Sequence, residues 1–280
     1  MKNCIVEIQG GLGNQLFQLN FANYLKLKGN KVKLSIKLIN KDIPGVTKRE
    51  ILIPFSFFNL KEVNVLEQTM LSAFLKIQNK SIFKENLKQR VGYFKGYDFN
   101  NSDLKSNNYF RGYWKNLRFL NKEFTINALS KNKLIDHNIR QLTNPGSTML
   151  HIRRDDYLAN GWELPLSFYK KSIDDMRNHK ENFYYDIFTD DLEYVKSHKI
   201  FGGVNNVFSK SINPNYDNTL ETFSMMLNYE NYIVGNSSFS FWPAYINSTD
   251  KSRVVVADPW FKNNNHPTLK KASWHTVENK

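Results

Sequence analysis

At 280 residues, with 41% hydrophobic and 14% aromatic side chains, the chain has room for two compact α/β lobes and too much apolar material for wholesale disorder. Its 39 Lys and Arg against 26 Asp and Glu give a formal charge of +13, which suits an anionic partner: a phosphorylated small molecule, a phospholipid surface or nucleic acid. No dense basic block appears, so a solvated lysine-rich surface explains the same excess, and the single cysteine, Cys4, excludes an intrachain disulfide and a Cys/His metal framework.

In chain order, residues 4 to 8 read as a buried strand, followed by Gly10, Gly11, Leu12 and Gly13 and a helical pattern from Asn14 to Lys28 closed by Gly29. Lys31 to Ile39 alternates as a second strand. Leu66 to Ile77 has helical spacing, with Met70, Leu71, Phe74 and Leu75 on one side. The breaker cluster Thr143-Asn144-Pro145-Gly146 divides the chain into an N-terminal lobe, 1–145, and a C-terminal lobe, 146–280. Beyond it Thr148–Ile152, Tyr184–Phe188, Asn231–Val234 and Val254–Ala257 read as strands and Leu166–Arg177 as a helix. Alternating strands and helices predict parallel sheets with crossover helices. No window reaches the roughly 18 to 20 apolar residues of a membrane span, and the first strand follows Met1 almost directly, so a cytoplasmic location is expected.

Four segments carry chemistry. The loop Gly10-Gly11-Leu12-Gly13-Asn14-Gln15 lets backbone pass close to a ligand and opens a helix whose N–H groups suit an anion or a sugar oxygen; it equally suits a tight turn with Asn14 as N-cap. His151-Ile152-Arg153-Arg154-Asp155-Asp156-Tyr157 follows a predicted strand, where open α/β sheets place ligands. An arginine fork there matches phosphate oxygens and stabilises a departing diphosphate, while a local salt-bridge network accounts for the same residues. Strand alternation sends Arg153 and Arg154 to opposite sides, so they should not share one task. Asp190 and Asp191, after the strand ending at Phe188, suit either a base or ribose or the cap of the next helix. Asn236-Ser237-Ser238-Phe239, after a strand and Gly235, offer a second phosphate cradle or a capped helix with an aromatic core face. The chain has no Asp-x-Asp triplet and no close histidine pair, so no metal site is expected.

Taken together, these motifs in register, from about residue 5 to about residue 261, resemble the α-1,2-fucosyltransferase family (glycosyltransferase family 11-like), with softer similarity at Arg111-Gly112-Tyr113-Trp114 and Asp258-Pro259-Trp260. The resemblance implies two Rossmann-like domains facing a cleft (GT-B type), GDP-fucose as co-substrate held mainly by the second domain, no cofactor or metal, and inversion at the fucose anomeric carbon. It implies that Arg154 meets the β-phosphate and that His151 and Arg153 line the donor site. Asn14, with Gln15 and the Gly11 to Gly13 loop, contributes from the first lobe. Asp190 or Asp191 faces the nucleoside, and Ser237, Ser238 and Phe239 the phosphates. Asp156 and Glu163 are the candidate bases; each also suits a structural partner. Two departures from the family pattern stand out: Asp155 in place of glycine, and Phe241 and Pro243 in place of Trp and a small residue.

The implied acceptor is an oligosaccharide or lipid-linked glycan, with the +13 charge favouring peripheral contact with an anionic membrane and no role for nucleic acid. Two alternatives remain at this stage: a transferase for another GDP-sugar or fucosyl linkage, and a non-catalytic polyanion- or glycan-binding protein.

Overall fold

In the computed structural model, which describes residues 1–39, 49–77, 91–131, 146–179, 183–209, 219–262 and 268–280, the chain divides into two units, Met1–Asn132 and Lys133–Lys280. The expected lobe boundary after residue 145, and its Thr143-Asn144-Pro145 breaker, lie outside the described residues.

Unit 1 runs β1 (Asn3–Glu7), α1 (Leu12–Leu27), β2 (Lys31–Ser35), β3 (Lys61–Glu62), α2 (Val65–Ile77), β4 (Val91–Gly96), β5 (Asn107–Gly112) and α3 (Lys122–Lys131). Its sheet has the order β3-β2-β1-β5-β4 with every neighbouring pair parallel. Val6 pairs with Leu34 on one side and Phe110 on the other. The first strand is central because Cys4 and Val6 are fully buried and α1 covers the sheet with Leu16, Phe17, Leu19 and Phe21, all out of solvent. Around Phe21 the core is aromatic: Trp114 stacks on it at 4.3 Å, and Phe110 and Phe119 meet it edge-on at 5.1 and 4.9 Å.

Two sequence expectations shift here. The second strand stops at Ser35, where the Ser35 hydroxyl accepts the Lys37 N–H and turns the chain. Helix α2 forms, opened by an Asn64/Glu67 capping box in which each side chain accepts the other's backbone N–H at 2.9 Å, but Met70 does not join Leu71 on the inner side. Leu71 is buried while Met70 is 65% exposed, because the inner face is fixed by polar contacts to β2 and the turn after it: Lys33 to Glu67, Ser35 to Gln68 and Lys37 to Ser72. The side chains of Phe74 and Leu75 lie outside the described residues.

Unit 2 runs β6 (Thr148–Ile152), α4 (Asp155–Asn160), α5 (Leu166–His179), β7 (Tyr185–Thr189), α6 (Leu192–Ser197), β8 (Asn206–Phe208), α7 (Thr219–Met226), β9 (Asn231–Gly235), α8 (Ser238–Asn247), β10 (Val254–Asp258) and β11 (His275–Glu278). The order β11-β10-β9-β6-β7-β8, parallel throughout, is the 3-2-1-4-5-6 order of a Rossmann domain with β6 as its first strand. β6 and β9 are buried along their whole length, as strands covered on both faces must be. Phe168, Tyr169, Ser172, Ile173 and Met176 form the buried stripe of α5, and its apolar members pack with Leu150, Ile152, Ile187, Ile233 and Val255. The α/β class with parallel sheets, expected from the rhythm of the sequence, is what the chain forms, and its two units are Rossmann-like, as the family resemblance implies.

Candidate active site

Strand order reverses in unit 2 between β6 and β9, and open α/β sheets bind ligands at the carboxyl ends of the strands beside such a reversal. Three of the four sequence segments converge there, at the ends of β6, β7 and β9.

Arg153 and Arg154 lie just beyond β6, which ends at Ile152, so strand alternation does not govern them, and their side chains take different partners. The Arg153 guanidinium pairs with Asp156 at 2.7 Å and with Asp190 at 2.9 Å, closing the β6 and β7 ends together. Arg154 donates its backbone N–H to Asp190 at 2.8 Å and its Nε to Asp191 at 2.8 Å, and its guanidinium lies 3.7 Å from the centre of the Tyr194 ring. Stacking and one charge-assisted bond fix the plane of the group. Among the described residues, its two Nη groups carry no hydrogen bond, so the paired donors that match a phosphate stay available.

The carboxylates hold this arrangement. Burial pushes the Asp190 carboxyl up, against the lowering pull of Arg153 and of the Arg154 and Asp155 backbone N–H groups. Asp191 is also opposed by burial, yet ends below the usual carboxylate range because the Tyr194 N–H and Arg154 outweigh it. Asp191 is the N-cap of α6, accepting the Tyr194 N–H at 2.9 Å, so the capping reading of this residue is realised while its second oxygen holds Arg154. Asp155 sits on the exposed first turn of α4 and pairs with neither arginine among the described residues, so its charge points to solvent.

His151, 6% exposed on β6, has its Nδ1 2.9 Å from the Ser240 hydroxyl, and that hydroxyl lies 3.1 Å from the Val234 carbonyl. A carbonyl only accepts, so the serine proton goes to Val234 and His151 donates from Nδ1, leaving Nε2 as an acceptor. Burial, and then Arg153, push the imidazole down to about 3, so it is neutral at working pH.

On the β9 side the chain turns at Gly235, whose φ of 66° suits glycine and whose added Cβ would lie 2.8 Å from Leu164 Cδ1. Asn236 donates to the Trp162 carbonyl at 2.7 Å, and the Tyr157 hydroxyl donates to the Asn236 carbonyl at 3.3 Å. These contacts bring loop 161–164 over the end of β9. In that loop the Glu163 Oε2 is buried without a hydrogen-bond partner among the described residues. Ser237 caps α8 by accepting the Phe239 N–H at 3.3 Å, and the Phe239 ring lies 6.2 Å from His151. Ser238 opens the helix. Pro243 stands inside α8, which starts at Ser238, and Phe241 is core, stacked on Tyr245 at 5.6 Å.

The fourth segment lies in unit 1, at that sheet's own reversal between β1 and β5. Helix α1 begins at Leu12 with Gly11 as its cap, so Asn14 sits in the first turn and is not the N-cap. Gly10, at φ 78°, has Asn14 Nδ2 2.7 Å from where a Cβ would stand, so a side chain there would displace Asn14. The Gln15 amide is committed to the Gly10 and Glu50 carbonyls at 2.9 and 2.8 Å and shapes the loop. Gln18, which the sequence reading passed over, ties the two strand ends by accepting the Gln9 N–H and donating to the Gly112 carbonyl. Tyr194 and Ser240 were passed over too; each sits three residues beyond a motif residue, Asp191 and Ser237, on the helix that residue caps.

The Glycosyl transferase family 11 model matches residues 3–278. The chain belongs to this family. Two relatives from Escherichia coli resemble the transferase along most of their length: an alpha-1,2-colitosyltransferase, 25% identical over 94% of this chain and 93% of its own, and the O-antigen biosynthesis glycosyltransferase WbnK, 26% identical over 95% and 98%. Among solved structures the transferase is similar to the NodZ alpha-1,6-fucosyltransferase soaked with GDP-fucose (12% identity, TM-score 0.47, 95% and 97% covered). It is also similar to POFUT1 in complex with GDP (10% identity, TM-score 0.46, 90% and 98% covered). Among the described residues no helix is long and apolar enough to cross a membrane, and no His/Cys/Asp/Glu group could hold a metal ion.

Proposed function

We propose that this family 11 transferase moves L-fucose from GDP-fucose to a hydroxyl of a glycan, the 2-hydroxyl of a galactose-type residue, with inversion and without a metal ion. The observation that carries the reading is Arg154: a guanidinium clamped by Asp191 and Tyr194 at the strand reversal of a Rossmann unit, with its paired Nη donors unspent. As the bond from the anomeric carbon to the β-phosphate oxygen breaks, its electron pair passes to the diphosphate, and a cation already fixed in place stabilises that charge without reorganising. The acceptor oxygen forms the new bond on the opposite face and gives up its proton. Glu163 is the base this reading assigns, because Oε2 is buried and unpartnered in the loop over β9. Asp156 is less suited, since Arg153 already holds it. The neutral His151 and the α8 N-terminus at Ser237 and Ser238 supply uncharged and N–H contacts to the donor.

Thermal unfolding with GDP, GDP-fucose, GDP-colitose, GDP-mannose and UDP, each with and without EDTA, tests the donor class, because a ligand that binds only the folded state raises the transition temperature. The colitosyl relative is the reason to include that sugar. A rise with GDP and GDP-fucose that EDTA leaves unchanged is expected, and Arg154→Ala should abolish it. A larger rise with another GDP-sugar would move the assignment to that donor, and no rise with any nucleotide would overturn it.

A further inference from the structure

Helix α2 turns an apolar stripe outward, while Leu71 is buried on its inner side. Val65, Leu66, Thr69, Met70 and Ala73 form one stripe, all exposed, with Val65 at 85%, Leu66 at 69% and Met70 at 65%. The opposite side carries Glu67, Gln68 and Ser72, each tied to a side chain on or just after β2. A surface helix ordinarily turns these faces the other way, and its ridge of exposed Leu, Val and Met is the kind of patch that marks an interaction surface. The polar contacts fix the orientation, so the stripe cannot roll inward without breaking the Lys33–Glu67, Ser35–Gln68 and Lys37–Ser72 contacts.

Charge says what covers it. Unit 1 holds 22 Lys and Arg against nine Asp and Glu, whereas unit 2 holds 17 of each, so the whole excess of the chain resides on the unit that carries the stripe. A second copy of the same unit would meet this face with repulsion. An acidic lipid surface complements it and offers hydrocarbon just beneath. At 13 residues α2 is about 20 Å long, too short to span a bilayer and suited to lying along one.

We propose that unit 1 docks on an anionic phospholipid bilayer through the outward stripe of α2, with Leu66 and Met70 entering the headgroup boundary and the basic excess of the unit drawing it there. The proposal does not depend on which donor the transferase uses.

The test is flotation of the purified chain with vesicles of phosphatidylcholine, and of phosphatidylcholine with phosphatidylglycerol, at low and high salt. The protein should rise with the phosphatidylglycerol vesicles, less so as salt increases. Leu66→Ser and Met70→Ser keep the charge and should each lower the partition coefficient at least about tenfold, the factor expected for one apolar side chain left in water. Their unfolding temperatures should match the parent's, since both positions are exposed. Met70→Trp should raise binding, a gain that misfolding does not produce. The proposal is overturned if the parent stays at the bottom with acidic vesicles, or if both serine variants float as the parent does. It is also overturned if sedimentation shows a parent dimer that Leu66→Ser dissolves while no flotation occurs.

Discussion

Arg154 keeps its place through two contacts of different kinds, a bond along its Nε edge and an aromatic ring under its plane, and the proposed function depends on both. A lysine there would hold the charge on a flexible stem and give neither the fork nor the stack. Arg154→Lys is therefore expected to lose roughly 10²- to 10³-fold in kcat with modest change in KM, the usual loss when one preorganised transition-state donor is removed; steady-state kinetics with GDP-fucose decides it. Glu163→Gln tests the base separately: turnover should fall while the GDP-induced thermal shift remains.

His151 gives a prediction about stability. An unfolded histidine binds a proton below about pH 6.5, whereas the folded site holds out to about 3, so folding stability is complete above the first value and falls as pH drops towards the second. Between pH 7 and pH 5 the loss is about 2 kcal/mol. His151→Asn, which keeps a donor for Ser240 and does not titrate, should lose less over the same interval in urea unfolding. The motif residues themselves were legible because they fall in short polar runs after apolar strands. What those runs do not reveal is how the carboxylates are divided. Asp190 and Asp191 are adjacent in sequence, yet one bonds the backbone of Arg154 and the other its side chain, an allocation set by where β7 ends relative to β6.

Among elements, the turn from β9 into α8 governs the site. Gly235→Ala would be strained by its φ and would press on Leu164, the neighbour of Glu163. A cost of about 1–3 kcal/mol is expected by denaturant unfolding, together with a loss of kcat, because loop 161–164 must move. Helix α2 marks the limit of what periodicity can say. Its spacing announces a helix, but a stripe and its opposite look alike until the neighbours are known. Here Lys33, Ser35 and Lys37, thirty-odd residues earlier, choose the polar side. Helix α1 began two residues before its expected start for a related reason: Gly11 supplies the cap through backbone geometry, and no side chain signals it.

At the scale of the molecule, the alternation of strand and helix was enough to name the class, since only parallel sheets accommodate it. The order of the strands was not readable. In unit 1 the chain passes to the far edge for β4 before returning to place β5 beside β1. The edge strands β3 and β8, of two and three residues, are too short to carry a pattern. The partition of charge is legible in sequence once the unit boundary is known, and it predicts that salt acts on surface attachment through one half of the chain.

A sheet made wholly of parallel pairs contains no hairpin, and that bears on how the protein comes into being. Strand β1 finds one neighbour in β2 soon after it is made, but its other neighbour, β5, begins at Asn107, and β6 likewise waits for β9 at Asn231. Contacts so distant along the chain require long loops to close before they repay the closure, so folding should be slow and should follow synthesis in two steps. A ribosome-bound chain stalled with residue 100 outside the exit tunnel should remain open to protease, and one stalled with residue 132 outside should resist it. The N-terminal strand, first to emerge and placed at the centre of its sheet, is thus among the last to be enclosed.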